Sequence, residues 1–431
     1  MTTRTIKVDT LARVEGEGAL FIRFEGKEIK EVELRIFEPP RFFEGILRGR
    51  SQMDAPDITA RICGICPVAY QMSASYAIED AHGIRVEPAV GALRRLLYCG
   101  EWIESHVLHM VMLHAPDFLG FPDALTMAEK HGEQVKRGLR LKKAGNAIVR
   151  VLGGREIHPI NVRLGGFYRA PSKGELDALL PELRWGREAA METLRWVAAF
   201  PYPDFERDYE LVALHHPDEY AVCEGRLRSN KGLDIDVHDY DACFQEQHLP
   251  HSNALHAVIV GRGAYLCGPL ARINLNFEQL GPLAREAARE VGFAPPCLNP
   301  FRSLIARAIE TIHAFDLAVR LIEGYVPPEA PFVAMPAAAG TGCACTEAPR
   351  GILYHRYTID DAGLIAAANI VPPTSQNQKT IEEDLFDLAP TLAELPLAEA
   401  TLLAEQAIRN YDPCISCATH FLTLKIERDP P

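Results

Sequence analysis

The sequence predicts a mainly α protein with smaller β regions, an α+β chain whose core is a bundle of long helices and whose N-terminal part carries a β-hairpin. Apolar residues recur at helical spacing over residues 89–112, 123–152 and 172–199, and again over 299–325 and 381–410. The first two runs contain no proline and the third only Pro181, so little in them breaks a long helix. Between residues 19 and 37 apolar and polar side chains alternate on both sides of Glu25-Gly26-Lys27, the pattern of two strands joined by a glycine turn.

Composition narrows the class. Of 431 residues, 48% are hydrophobic and 24% charged, which suffices for a large buried core. A net charge of −13 leaves no basic excess to displace the counterions of a nucleic acid, so no nucleic-acid partner is expected. No segment reaches the roughly 18 uninterrupted apolar residues of a membrane span. Residues 1–18 are charged throughout, without a signal-type apolar run. The expectation is a cytoplasmic chain with no membrane span.

Eleven cysteines, an odd number, argue for free thiols and metal ligands over a disulfide framework. Four of them form two CxxC pairs near opposite ends of the chain, in Arg61-Ile62-Cys63-Gly64-Ile65-Cys66-Pro67 and Asp412-Pro413-Cys414-Ile415-Ser416-Cys417-Ala418-Thr419-His420. Two intervening residues let both sulfurs of a pair turn toward one ion, so four thiolates can serve one soft metal centre. That geometry requires both ends of the chain to meet, and residues 1–431 are expected to form a single domain with a β-rich part over about 1–50. A structural zinc site is the simplest occupant, yet zinc requires neither the flanking Arg61, Asp412 and Pro413 nor His420. The other cysteines, Cys99, Cys223, Cys243, Cys267, Cys297, Cys343 and Cys345, show no cluster-binding spacing and read mostly as packing thiols.

Between these pairs the chain is punctuated by turns. Pro116 can end a helix before Asp117, and His158-Pro159 with Gly165-Gly166 mark a connection. Residues 209–237 read as short strands, and His248, His251 and His256 as structural histidines without a metal-binding spacing. Gly340-Thr341-Gly342 lacks the third glycine and the strand-to-helix context of a dinucleotide site, so the chain is not expected to bind nicotinamide itself.

The flanked motifs RICGIC and DPCISCATH, in this order, resemble those of the large, catalytic subunits of nickel-iron hydrogenases. Matches recur in patches along nearly the whole chain: Arg13-Val14-Glu15-Gly16, the segment from Phe43 to Arg50, Gly268-Pro269-Leu270-Ala271-Arg272, Glu347-Ala348-Pro349-Arg350-Gly351 and Pro372-Pro373-Thr374. The resemblance is strongest to the cytoplasmic NAD(P)-linked and sulfhydrogenase subgroup. It departs at Tyr70 and Glu17, where the family commonly has histidine.

The resemblance implies a helical-bundle fold and reversible heterolytic cleavage of H2. Cys63 and Cys414 are implied as terminal nickel ligands and Cys66 and Cys417 as nickel-iron bridges, with carbon monoxide and cyanide on the iron. It further implies Mg2+ held by Glu44 and His420, and Glu15 taking the proton from Cys414. Arg350, Asp117 and Asp412 form a charged canopy over the metals, and Pro349, Arg350 and Thr374 contact the cofactor. By residue type alone Glu15 and Glu44 are surface acids, Asp117 a helix cap, Arg350 a salt-bridge partner and Thr374 a turn residue.

Implied partners are an iron-sulfur small subunit and diaphorase-type subunits carrying flavin, iron-sulfur clusters and NAD(P). A maturation protease and nickel-insertion proteins are also implied: many relatives are cut near the histidine after the last cysteine, and residues 421–431 are either such a removable tail or one short enough to remain. Alternatives are a zinc-stapled scaffold, a non-catalytic relative like the quinone-site subunit of respiratory complex I, and an H2 sensor.

Overall fold

The computed structural model describes residues 3–26 and 28–419. His420 and residues 421–431, for which the sequence suggested a magnesium ligand and a processed tail, lie outside the described residues.

The N-terminal hairpin is the centre and edge of a three-stranded antiparallel sheet, β1 (Thr3–Val8), β2 (Gly18–Glu25) and β3 (Glu28–Ile36), in that order. Ile6, Leu20, Ile22, Phe24, Leu34 and Ile36 are buried, the expected result of alternation on a sheet with one face on the core. The first strand escaped the sequence reading because its short run, Thr-Arg-Thr-Ile-Lys-Val, contains two charged residues among six.

The long helices are α1 (Pro67–Ala81), α2 (Pro88–Val107), α3 (Ala124–Gly153), α4 (Leu180–Ala198) and α5 (Ser303–Glu323). Helix α2 packs against α3 and α5, and α4 against α5. Two of the expected runs differ in detail. The run from 172 divides into a short helix, Lys173–Asp177, and α4, where Pro181 occupies the first turn, a position that needs no backbone N–H. The run over 89–112 ends in a π-helical turn, Leu108–His114, which buries His109 and His114.

A three-stranded sheet of short strands, β4 (Val212–His215), β5 (Arg226–Ser229) and β6 (Asp234–Ile235), precedes the hairpin of β7 (Phe244–Gln247) and β8 (His256–Ile259). A third antiparallel sheet, β9 (Gly340–Ala348), β10 (Gly351–Ile359) and β11 (Ile365–Val371), lies against α1. The run over 381–410 is a succession of helices: α6 (Pro373–Asp387), α7 (Ala389–Glu394) and α8 (Leu397–Arg409). Pro390 in the first turn of α7 and Pro396 at the N-cap of α8 enforce the breaks. A last turn, α9 (Ile415–Ala418), follows. One apolar cluster includes Ile6 of β1, residues of every long helix and Ala418 of α9, so both ends of the described chain enter the same core.

Within that core sits a charged network. Arg272, fully buried, donates to both Glu310 oxygens at 2.7 and 2.8 Å and to Glu347 at 2.9 Å, and stacks over Trp102 at 4.4 Å. It also donates to the carbonyls of Ala348 (2.9 Å) and Pro349 (3.0 Å), fixing the turn between β9 and β10. Replacing Arg272 with Ala strands two buried carboxylates. A loss of about 3–5 kcal/mol is expected, read as a lower midpoint in chemical denaturation.

Candidate metal centre

The first thiol pair is set by a turn and a helix start. Cys63 follows the 3-10 turn Ala60–Ile62, and Cys66 is the N-cap of α1, with Pro67 at its first position. Glu101 of α2 accepts the Val68 and Ala69 N–H groups at 2.6 and 3.0 Å, satisfying donors at the helix start directly after Cys66. Burial pushes the Glu101 carboxyl well above its usual range.

The second pair is docked by the N-terminal loop. Glu15 and Cys414 form a parallel bridge, and the Glu15 carbonyl accepts Ile415 N–H at 2.9 Å. Gly16, at φ +89°, makes that approach possible, since a Cβ there would lie 2.8 Å from Ile415 Cβ. Gly16→Ala is therefore expected to cost about 1–3 kcal/mol and to lower nickel and iron occupancy, checked by metal analysis of the purified variant. Arg41 links the two thiol segments, its guanidinium donating to the carbonyls of Ile62 (2.7 Å) and Ser416 (2.5 Å).

Together these elements bring the Sγ atoms of Cys63, Cys66, Cys414 and Cys417 to within 4.8 Å of one another, all buried. Cys63 lies 3.4 Å from Cys414, and Cys414 lies 2.8 Å from Cys417. All four are free cysteines. Burial pushes Cys414 well above the ordinary thiol range. Burial acts upward on Cys63 too, but hydrogen bonds from Cys414 and Cys417 and the Arg350 charge hold it well below. Four soft donors with a cation beside them form a donor set that fits a thiophilic metal.

Arg350 occupies the two-residue turn between β9 and β10, next to Pro349. Gly268 lies under this turn at φ +115°, where a Cβ would approach the Arg350 carbonyl to 2.6 Å. The guanidinium donates through Nε to the Asp412 carbonyl (2.6 Å) and through Nη2 to the Asp412 carboxylate (3.1 Å). Burial opposes its charge, but Asp412 and the thiols hold its pKa well above the usual guanidinium value. Its Nη1 is buried without a hydrogen-bond partner, and so is the Tyr70 hydroxyl, whose pKa burial and then the thiol charges drive well upward. Unpaired donors beside thiolates suit a bound group that presents acceptors.

The remaining expected residues divide. Thr374, in the first turn of α6, accepts Cys414 N–H at 3.0 Å and retains its own O–H to donate. Glu15 Oε2 lies 3.1 Å from Cys414 Sγ and accepts Ser416 N–H at 3.1 Å. Glu44 accepts Ile370 N–H at 2.8 Å, anchoring its segment to β11. The canopy differs from expectation at Asp117. Among the described residues Asp117 is paired with Arg13 and with Arg409, the latter at 2.7 and 3.0 Å, so Asp412 alone pairs with Arg350. The sequence shows arginines at 13 and 409, but not that both reach one aspartate far away along the chain. Sequence reasoning also missed Arg41, Glu101, Ser416 and Glu38. Glu38 accepts the Ser416 hydroxyl at 2.9 Å and Glu17 N–H at 3.0 Å.

Residues 41–138 and 268–420 match the nickel-dependent hydrogenase family, more than half of the chain. The chain belongs to that family. Among its hydrogenase relatives, the sulfhydrogenase 2 alpha subunit of Pyrococcus furiosus is 34% identical across 97% of this chain and 100% of that subunit. The beta subunit of the NAD-reducing hydrogenase HoxS of Cupriavidus necator is 28% identical across 97% of this chain and 95% of its own length. A crystal structure of an NAD+-reducing [NiFe]-hydrogenase in its H2-reduced state superposes with a TM-score of 0.89 at 27% identity, covering 97% of this chain and 99% of the other. The [NiFeSe]-hydrogenase of Dm. baculatum shares the fold, with a TM-score of 0.79. The hydrogenase is of the catalytic large-subunit type, and its family implies a nickel-iron centre. No helix of its described residues is long and apolar enough to cross a membrane.

Proposed function

We propose that this hydrogenase subunit cleaves H2 heterolytically at a nickel-iron centre that Cys63, Cys66, Cys414 and Cys417 would hold, Cys66 and Cys417 being the two that would also serve the iron. The observation that carries the reading is the meeting of four buried thiols with Arg350 on one side and the Glu15 carboxylate on another. The bound centre, with carbon monoxide and cyanide on its iron, supplies the site where H2 is polarised and split. Arg350, fixed by Asp412, orients a positive charge toward that site and keeps one N–H free for it. A small cavity is lined by Arg350 together with Leu266, Cys267, Leu270, Arg307 and Asn410.

Cys414 holds the proton and passes it to Glu15 across 3.1 Å. Ser416 holds both acids in place, its backbone N–H donating to Glu15 and its hydroxyl to the half-buried Glu38, the next carboxylate toward solvent. Thr374 and Pro349 contact the diatomic ligands beside Arg350. Asp117 serves at one remove, keeping the Arg13 loop and the start of the second thiol segment in place through Arg13 and Arg409. Glu44, anchored by Ile370 N–H, would supply an oxygen ligand to Mg2+; its expected partner His420 lies outside the described residues.

Electrons leave through a partner, because the seven remaining cysteines form no further thiol cluster among the described residues. That partner is an iron-sulfur small subunit, and electrons continue through flavin-containing subunits to NAD(P) or another soluble carrier in the cytoplasm. The NAD-reducing relatives, similar along their full length, favour this coupling. A maturation protease removing residues 421–431 and nickel-insertion proteins complete the set. The test is an infrared spectrum of the purified native complex in the region of metal-bound carbon monoxide and cyanide, with metal analysis. Bands together with nickel and iron are expected; zinc alone and no bands would overturn the reading.

A further inference from the structure

A second group of ligating side chains lies outside the thiol site, where β8 and its preceding loop meet α6. His251 comes from that loop, His256 opens β8, and Glu382 projects from α6. His251 Nε2 is 2.8 Å from Glu382 Oε1, and His256 Nδ1 is 3.9 Å from Glu382 Oε2. One donor atom from each residue lies within 4.8 Å of the other two.

His256 is the informative member. It is 1% exposed, yet neither ring nitrogen has a hydrogen-bond partner among the described residues. Leaving a buried polar group unsatisfied is costly, so the gap calls for an occupant. At 3.9 Å the His256 and Glu382 atoms are too far apart to hydrogen-bond. An ion bound at about 2.1 Å from each would span up to roughly 4.2 Å. Leu34 N–H donates to Glu382 Oε1 at 2.9 Å, the outer hydrogen bond that orients a ligating carboxylate. The nearby cation, Lys379, is engaged by Glu383 at 3.5 Å.

We propose that His251, His256 and Glu382 bind one divalent first-row transition ion, of the zinc or ferrous class, as a structural brace. Two imidazoles and a carboxylate are a donor set for such ions. The ion ties together three pieces that all bear on the thiol site. Helix α6 carries Thr374, which fixes Cys414 N–H. Leu34 belongs to β3, whose last residue, Ile36, accepts Asn253 N–H from the histidine loop at 2.8 Å. Asn253 also donates to the Glu38 carbonyl at 3.2 Å. A metal brace departs from the sequence reading, which takes these histidines as structural because their spacing shows no metal-binding geometry; the third ligand, Glu382, stands far downstream.

The experiment uses the native complex, treated with a mild chelator and titrated anaerobically with zinc by calorimetry, then with cobalt(II) as an optical probe. Wild type, His256→Ala, His251→Asn and Glu382→Gln are compared, and nickel, iron and infrared bands are recorded throughout. Wild type is expected to take up one zinc equivalent that each variant binds at least 100-fold more weakly. Cobalt absorption in the visible should appear in wild type only, while nickel and iron stay constant. Should His256→Ala fold poorly, His251→Asn on the half-exposed rim gives the same readout. Absence of the extra equivalent in wild type, as for a gap filled by water, would overturn the proposal. So would equal zinc affinity in wild type and the folded variants.

Discussion

Exchanging Arg350 for Lys is expected to lower turnover at least 100-fold while nickel and iron remain in place. The guanidinium performs three tasks from one planar group: Nε binds the Asp412 carbonyl, Nη2 binds its carboxylate, and Nη1 is left free. An ammonium keeps the charge but not the fork, so it can satisfy Asp412 or face the open side, not both. Asp412 sits at φ +50°, a conformation held for a non-glycine residue only by its surroundings. Loss of its carbonyl partner releases that constraint beside Cys414. A 100-fold loss corresponds to roughly 2.7 kcal/mol of transition-state stabilisation. The check is H2-driven reduction of an artificial acceptor, normalised to nickel content. Turnover within twofold of wild type at full metal loading would remove Arg350 from the reaction.

The meeting of the chain's ends was legible in the sequence because two CxxC pairs at opposite termini have one economical explanation. The long helices were legible for a different reason, uninterrupted apolar periodicity, and their errors follow from one residue type. Pro181, Pro390 and Pro396 each begin a new helix, and periodicity alone does not register a break that preserves the buried face. Strand β9 was missed because its Gly-Thr-Gly-Cys-Ala-Cys start carries few of the bulky β-branched and aromatic residues that mark strands.

Within the site, residues embedded in a motif could be singled out, whereas their supports could not. Arg41 and Glu101 act on backbone groups of other segments, and nothing in local spacing encodes that. Asp117 shows the opposite error. It entered the canopy by resemblance alone, and its ion pairs among the described residues are with Arg13 and Arg409. Charge partners in a buried network depend on three-dimensional reach, which sequence order does not supply.

Replacing Glu15 with Gln separates the proton route from the architecture. The backbone of Glu15 docks the second thiol segment through Ile415 N–H, and that bond survives the exchange. A glutamine carbonyl still accepts Ser416 N–H, so the loop keeps its place. What disappears is the capacity to take a proton from Cys414, whose sulfur is 3.1 Å away. A positioned proton acceptor contributes typically 10²–10⁴-fold, and a fall in turnover of about that size is expected with unchanged nickel, iron and infrared bands. Exchange between H2 and solvent deuterons should fall in parallel, because it requires the same transfer. Glu38→Gln should slow turnover less, since water can replace a more exposed link. Full exchange activity in Glu15→Gln would place the exit elsewhere. If the rate falls only when Glu15 is lost, the step from thiol to carboxylate governs proton release; if Glu38→Gln matches it, release to solvent does.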